Sequence, residues 1–347
     1  MTQALAKYSP ASRAFANDQP TGGVLLALSL LATTTAAAAV VLTRKPPHGA
    51  PTKQPRLQAQ PGIIPLPATP VVDKRGAVRA ARRLNRAAGA IATSVLIDSA
   101  MEHYRGAFQN KAMYTPIVAS ALTILASLHG HRDRATGAHR ARDAVYALAG
   151  LTGAVGTGFH LYNVMKKPGG FCWQNLFYGA PLGAPTAISL AGLTGFLAER
   201  VRNNPPETVP YVLGFPAGRF VAAMTAVGLL GTTAEAGLLH FRGAFHNPAM
   251  LAPVTVPPVA TALLVAAAAG KAERPRRLTW WWLRFTALLG VAGVGFHAVG
   301  VARNMGGWRN WRQNLQAGPP LPAPPAFSGL ALSGLAALGL LRDNVDV

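Results

Sequence analysis

The chain has 347 residues, of which half are hydrophobic and only 13% are charged. Its 33 Lys and Arg against 12 Asp and Glu give a formal net charge of +21. A basic excess can indicate nucleic-acid binding, but here the basic residues form short clusters between apolar stretches, without a nucleic-acid-binding motif. The pattern predicts a polytopic membrane protein and excludes nucleic acid as the expected partner.

Further function classes are excluded by missing motifs. The single cysteine, Cys172, excludes an internal disulfide framework, and the chain lacks the CxxCH motif of c-type haem attachment. It also lacks the P-loop, HExxH, GxSxG and kinase signatures. We therefore expect no soluble-enzyme chemistry, and the sequence leaves open whether the chain is an enzyme.

Apolar stretches of about 20 residues are needed to cross about 30 Å of hydrocarbon. The sequence predicts nine such spans, at 22–43, 87–104, 113–129, 144–164, 184–198, 220–240, 249–269, 285–303 and 324–341. The first is ambiguous, because it also resembles the apolar part of a signal peptide. We favour an uncleaved span, since the basic block follows it rather than precedes it.

The segments between the spans alternate in charge. The strongly basic ones, which the positive-inside rule assigns to the cytoplasm, are 44–86, 130–143 and 270–284. The less basic ones, rich in Gly, Pro, Asn and aromatic residues, are 105–112, 165–183, 241–248 and 304–323. This alternation predicts an integral protein of a bacterial inner membrane, with its N-terminus outside and its C-terminus in the cytoplasm.

The hexapeptides HYRGAF (103–108) and HFRGAF (240–245) belong to an internal repeat. A shift of 137 residues aligns the first half of each copy, and a two-residue insertion then moves the shift to 139. There QNLFYGAPLGAP meets QNLQAGPPLPAP. Since four spans return the chain to its starting side, we expect two copies of the same orientation, related by a pseudo-two-fold axis along the membrane normal.

The predicted fold is therefore an all-α membrane protein with about nine transmembrane helices, two parallel four-helix repeats and one extra N-terminal span. The expected segments are an N-terminal span at 1–43, a disordered basic linker at 44–86, repeat one at 87–202, a cytoplasmic linker at 203–219, repeat two at 220–341 and a tail at 342–347.

Four histidines form two predicted pairs. They lie at similar depth near the outer ends of the first and third spans of each copy: His103, His160, His240 and His297. Paired imidazoles on non-adjacent helices are the arrangement that axial ligation of b-type haem needs. Haem iron bound by these four side chains is the resulting hypothesis.

Neighbouring residues extend the haem hypothesis. Small residues on the histidine-bearing face could leave room for the macrocycle: Gly153, Gly156, Gly290 and Gly293. Arg105 and Arg242 could pair with the haem propionates. The plainer alternative is that small residues only let helices approach closely and that each His bonds a backbone carbonyl.

Two acids lie deeper in the predicted membrane. Asp98 and Glu235 correspond in the repeat, each five residues before its His. A carboxylate at this depth suits proton or ion handling. The alternatives are a protonated acid that bonds a neighbouring helix, and a metal ligand.

The outer loops contain polar and aromatic candidates for partner docking. They are Asn110, Trp173, Gln174, Asn175, Asn247, Trp311, Gln313 and Asn314. Tryptophans there could equally be interfacial anchors.

The leading functional prediction is a multi-pass redox subunit. It would bind haem b near the outer face and exchange electrons between quinone and an external dehydrogenase. The alternatives are an ion- or proton-coupled transporter with Asp98 and Glu235 in its pathway, and a non-catalytic membrane anchor or scaffold.

Overall fold

A computed structural model describes residues 74–205, 208–269 and 273–342. The predicted span at 22–43 and the linker residues before 74 lie outside these ranges. The described helices are α1 (Lys74–Arg105), α2 (Thr115–Arg132), α3 (Arg140–Met165), α4 (Trp173–Tyr178), α5 (Gly183–Arg202), α6 (Ala217–Arg242), α7 (Ala252–Ala268), α8 (Glu273–Arg303), α9 (Trp311–Ala317) and α10 (Pro325–Arg342).

Short turns and one hairpin connect these helices. Single 3₁₀ turns precede α2, α7 and α9, at Lys111–Tyr114, Pro248–Leu251 and Gly307–Asn310. Strands β1 (Tyr211–Val212) and β2 (Phe215–Pro216) form an antiparallel hairpin between α5 and α6. Segment 203–219, expected to be only a linker, thus contains this hairpin and the first turn of α6.

Five described helices are long and apolar enough to cross a membrane. These segments are Lys111–Arg132, Arg140–Met165, Ala217–Arg242, Pro248–Ala268 and Arg276–Arg303. They contain α2, α3, α6, α7 and α8, and they agree with five of the nine predicted spans. The protein is mostly helical, and these helices give it the character of an integral membrane protein surrounded by lipid.

Three further predicted spans are helical but do not meet the same length and apolarity. They fall in α1, α5 and α10, of which α10 has an apolar stretch at Pro325–Leu341 that is short for a span. Each of the three packs against several other helices. A helix surrounded by protein needs less apolar surface than one that faces lipid.

The expected boundary of the first linker is wrong. Residues 74–86 are the first turns of α1, and they pack into the core through Ala77, Ala81 and Leu84. Arg79 and Arg83 lie on the exposed face of the same turns. The abundance of arginine hid an amphipathic pattern with apolar residues three and four positions apart, which indicates a helix.

The helices form two sets with the same order of contacts. In the first set, α1 and α3 each pack on both α2 and α5. In the second, α6 and α8 each pack on both α7 and α10. The sets meet where α10 packs on α1 and α5 packs on α6, so α1, α5, α6 and α10 are the inner helices.

The other four long helices, α2, α3, α7 and α8, are the outer helices of the two sets, and they present large apolar side chains to the surroundings. On α2 and α3, Leu125 and Leu151 are 63% and 56% exposed, and on α8, Leu288 and Val291 are 61% and 63% exposed. The inner helices instead contribute much of the buried core. This division explains why the outer helices are among the most apolar and why their exposed faces suit lipid.

Small residues let the outer helices approach the inner ones. A Cβ atom at Gly153 of α3 would lie 2.5 Å from the carbonyl oxygen of Pro185 in α5. At Gly290 of α8, it would lie 2.7 Å from the carbonyl oxygen of Pro324, just before α10. Both glycines are therefore required by close packing between helices.

We expect Gly153→Ala to lower the free energy of unfolding by about 1–3 kcal/mol, because a backbone carbonyl and Ser189 would have to move. Gly158→Ala in the same helix meets open space, so it should not lower stability and should raise it by up to about 1 kcal/mol through helix propensity. Thermal unfolding in detergent measures both variants. Equal losses of stability would contradict this account of the α3–α5 contact.

Candidate functional site

The two hexapeptides form the same unusual turn at the ends of α1 and α6. Ala107 and Phe108 have φ angles of 54° and 47°, and Ala244 and Phe245 have φ angles of 55° and 46°. Residues other than glycine rarely adopt such angles, so surrounding contacts must stabilise the turn. Each phenylalanine ring meets the histidine of its own hexapeptide edge-on, with ring centroids 6.3 Å and 6.2 Å apart.

Each of the four histidines bonds a backbone carbonyl through Nδ1. His103 Nδ1 lies 2.6 Å from the oxygen of Met113, and His240 Nδ1 lies 2.8 Å from that of Met250. His160 bonds the carbonyl of Pro181, and His297 bonds that of Pro320. Because a carbonyl only accepts, Nδ1 carries the proton and Nε2 keeps a lone pair in the neutral ring.

The second predicted histidine pair lies close together. The rings of His240 and His297 have centroids 6.4 Å apart, with 66° between their planes. In the first pair, His103 is near enough to His160 to interact with it electrostatically. The structure therefore brings each predicted pair to the same end of its helix set, which we call the histidine end.

The glycines and arginines of the haem hypothesis have other contacts. Gly156 packs on Pro185, and Gly293 packs on Pro324, as their neighbours Gly153 and Gly290 do. The space beside these glycines, expected to accommodate a macrocycle, is thus occupied by the contacts of α3 with α5 and of α8 with α10.

Arg105 pairs with Glu102 at 2.6 Å, and Arg242 lies over the rings of Phe177 and Tyr178 at 5.4 Å and 5.6 Å. Both guanidinium groups are thus engaged within the protein. Across the described residues, no group of three or more His, Cys, Asp and Glu side chains is arranged to hold a metal ion. The described residues around the histidines therefore give the haem hypothesis no third ligand.

The two predicted acids lie within electrostatic range of each other across the boundary between the helix sets. Asp98 of α1 and Glu235 of α6 are close enough to interact electrostatically. The carboxylate of Glu235 accepts the backbone N–H of Gly183, the first residue of α5. A Cβ atom at Gly183 would overlap this carboxylate, so the glycine makes the contact possible.

Four of the predicted docking residues have structural roles. Asn110 and Asn247 each accept a backbone N–H two residues later at 2.9 Å, and so cap the 3₁₀ turns before α2 and α7. Asn175 donates to the carbonyls of its own outer loop, and Asn314 does the same in the second copy.

The other four predicted docking residues are exposed. They are Trp173, Gln174, Trp311 and Gln313. The position of these side chains on the surface of α4 and α9 is compatible with either an interfacial anchor or a docking role.

The sequence analysis missed a buried ionic cluster at the opposite end, which we call the basic end. Arg142 of α3 lies 2.9 Å from Asp133 and 2.9 Å from Glu199 of α5, and both Arg142 and Glu199 are almost fully buried. Arg202 is also buried and donates to the carbonyls of Gly130, Asp133 and Ala135. These bonds fix the loop between α2 and α3 against α5.

The charge of Asp133 is stabilised by this cluster. Burial alone would raise the pKa of its carboxyl. The N–H of Ala135, the hydrogen bond from Arg142 and the charges of Arg202 and Arg142 outweigh burial, so the pKa lies below its ordinary value. The cluster therefore contains an ionised carboxylate at the end of the helix set.

Comparison of the two copies could have revealed the cluster from sequence. Arg142, Tyr146, Glu199 and Arg202 correspond to Thr279, Leu283, Leu338 and Leu341. Because charged residues flank most predicted spans, these looked like ordinary loop charges. Their replacement by uncharged and mostly apolar residues in the second copy indicates that the positions are buried.

Comparisons with known proteins give no match for the chain. No family model matches it, and neither a curated protein nor a solved structure does.

We expect Glu199→Leu to destabilise the protein by about 3–5 kcal/mol, because it leaves two buried arginines, Arg142 and Arg202, to share the single carboxylate of Asp133. The triple variant Arg142→Thr, Glu199→Leu, Arg202→Leu carries the residues of the second copy at these three positions. It should lose less stability than Glu199→Leu alone, because no unpaired arginine stays buried. Thermal unfolding in detergent compares them. A triple variant that is less stable than Glu199→Leu would contradict a role of Glu199 in neutralising the two arginines.

Proposed function

We propose that the protein is built from two parallel four-helix repeats and that it transfers protons or cations through Asp98 and Glu235. In this proposal α1, α5 and α10 also span the bilayer, as inner helices shielded from lipid by the outer ones. The matching order of helix contacts, the paired hexapeptide turns and the four histidine–carbonyl bonds support a pseudo-two-fold axis along the membrane normal.

The observation that carries the proposal is that two acids from corresponding positions of the repeat lie within electrostatic range of each other, with the carboxylate of Glu235 held against the start of α5. Two neighbouring carboxylates repel each other when both are charged, so a proton or a cation between them is stabilised. Asp98 and Glu235 come from different helix sets. A small movement of one set against the other would change their separation and hence their affinity for the ion.

Groups able to accept or pass on a proton lie on both sides of the acids. His103 and His240 lie five residues further along the same helices, and their Nε2 atoms can take up a proton. Towards the basic end, Thr225 of α6 donates to Ser333 of α10 at 2.9 Å, and both are buried. Thr225 is ten residues before Glu235, or about 15 Å along the helix.

The orientation in the membrane is part of the proposal. Arginines concentrate at the basic end, in the first turns of α1 and the loop between α2 and α3. The positive-inside rule places this end in the cytoplasm of a bacterial cell, with the histidine end outside. The first span, at 22–43, would then place the N-terminus outside.

We expect the double variant Asp98→Asn, Glu235→Gln to lose at least about 90% of ion flux, because neither amide can take up a proton or neutralise a cation. The measurement is proton uptake into liposomes that contain the full chain and a pH-sensitive dye, with a sodium gradient as a second arm. Asp143→Asn is the matched control, since Asp143 is an acid that pairs with Arg200 at the basic end, away from the two acids. Undiminished flux in the double variant would refute the proposal.

Haem ligation is a second candidate, favoured by the 6.4 Å separation of the His240 and His297 rings and their unprotonated Nε2 atoms. The carbonyl bond at Nδ1 is the support that metal-ligating imidazoles commonly have. A bound haem b would supply electron transfer, between quinone and an external dehydrogenase in the original prediction. The helix contacts at the four glycines would have to open to admit it.

The spectrum of protein purified from haem-replete cells tests this candidate. Haem ligation predicts a reduced-minus-oxidised band of b type, which His160→Ala with His297→Ala should abolish. A colourless protein would refute haem ligation while leaving the carboxylate proposal intact. A colourless protein without ion flux would favour the anchor or scaffold instead.

A further inference from the structure

The two copies differ at the histidine end, where a loop of one helix set meets the hexapeptide of the other. In the first of these places, Phe177 of α4 meets Phe241 of α6 edge-on at 6.1 Å, and Arg242 lies over the rings of Phe177 and Tyr178. Trp173 joins the group, 6.0 Å from Phe177. Aromatic rings thus fill this place.

The corresponding site, where α9 of the second set lies beside the end of α1, lacks these aromatic residues. The positions of Trp173, Phe177 and Tyr178 are taken by Arg312, Gln316 and Ala317. A shallow cavity of about 580 Å³, widely open to the surroundings, lies there, lined by Tyr104, Arg105, Arg312, Gln313, Gln316 and Ala317. The repeat therefore explains the cavity: three aromatic residues of one copy are replaced by one cationic, one amide and one small residue in the other.

The lining of this cavity suits an anion. Arg105 and Arg312 contribute guanidinium groups, and no carboxylate belongs to the lining. Glu102 pairs with Arg105 and neutralises one of the two guanidinium groups. The three side chains Glu102, Arg105 and Arg312 together therefore have a net charge of +1. The amides of Gln313 and Gln316 and the hydroxyl of Tyr104 add donors, and guanidinium groups match the oxygens of phosphate.

The position of the cavity favours a ligand at the membrane surface. It lies at the end of α1, beside α9, whose first residue Trp311 is 54% exposed. Tryptophan and tyrosine at such a place commonly lie at the level of lipid headgroups. The volume is within the range of small-molecule sites and exceeds that of a bare anion.

We propose that this cavity binds a phosphate ester of net negative charge, with the phosphate between Arg105 and Arg312 and the organic group over Gln316 and Ala317. The phosphate comes either from an anionic lipid headgroup or from a soluble phosphate ester. The proposal does not depend on ion transfer by Asp98 and Glu235. The aromatic cluster around Arg242 has no room for the same ligand.

Calorimetric titration of the purified full chain with short-chain phosphatidylglycerol, phosphatidylcholine of the same chain length and glycerol 3-phosphate tests the proposal. We expect phosphatidylglycerol to bind at least about tenfold more tightly than phosphatidylcholine, because the choline ammonium cancels the charge of the phosphate and is repelled by the two guanidinium groups. Glycerol 3-phosphate that binds as tightly as phosphatidylglycerol would identify a soluble ester as the source. Equal binding of the two lipids, without binding of glycerol 3-phosphate, would overturn the proposal.

Two variants separate this site from general attraction to a basic protein. Gln316→Phe with Ala317→Tyr introduces two of the three aromatic residues of the other copy and keeps every charge, so it should abolish binding. Arg312→Gln should weaken binding by about tenfold or more. Arg242→Gln, the control in the filled place, should change it less than about twofold. Full binding by the aromatic variant or by Arg312→Gln would show that the ligand is held elsewhere.

Discussion

The close contact between the inner helices of the two sets is the constraint on which the other features depend. In α10, a Cβ atom at Gly329 would lie 2.9 Å from the backbone nitrogen of Ile91 in α1. In α6, one at Gly228 would lie 3.2 Å from Leu190 of α5. In the repeat, Ile91 corresponds to Gly228 and Leu190 to Gly329. In one contact the first helix of a set therefore carries the large residue, and in the other contact it carries the glycine. Both contacts bring the first helix of one set against the last helix of the other.

This contact brings Asp98 and Glu235 near each other across the boundary. It also brings α4, in the loop of the first set, against the end of α6 in the second. Asp98 and Glu235 interact only because α1 and α6 are held near the same boundary. The copies then differ at their two ends. At the basic end, the ionic cluster of the first copy corresponds to Thr279, Leu338 and Leu341 in the second, and at the histidine end, the aromatic rings beside Arg242 correspond to the polar cavity beside Arg105. A shared scaffold thus supports different chemistry in the two halves.

The sequence predicted the features that rest on periodicity and on the repeat. Apolar length predicted the five membrane-length helices, and the repeat predicted that His240 would lie near His297. It failed where a residue type has two physical roles. Gly153 could open a cavity or close a helix contact, and only the position of Pro185 decides between them. The start of α1 and the partners of Arg142 were missed because arginine-rich turns resemble loops until their contacts are known.

Cysteine cross-linking of α1 to α10 tests the central contact most directly. The variant carries Ile91→Cys and Gly329→Cys in a Cys172→Ser background, with a protease site in the loop between α5 and α6. The account predicts that oxidation links the two fragments, since the two Cβ atoms would be within disulfide range. Gly295→Cys in place of Gly329→Cys is the control, because Gly295 faces open space and should give no link. Fragments that separate after oxidation of the Ile91–Gly329 pair would contradict the packing of α10 on α1.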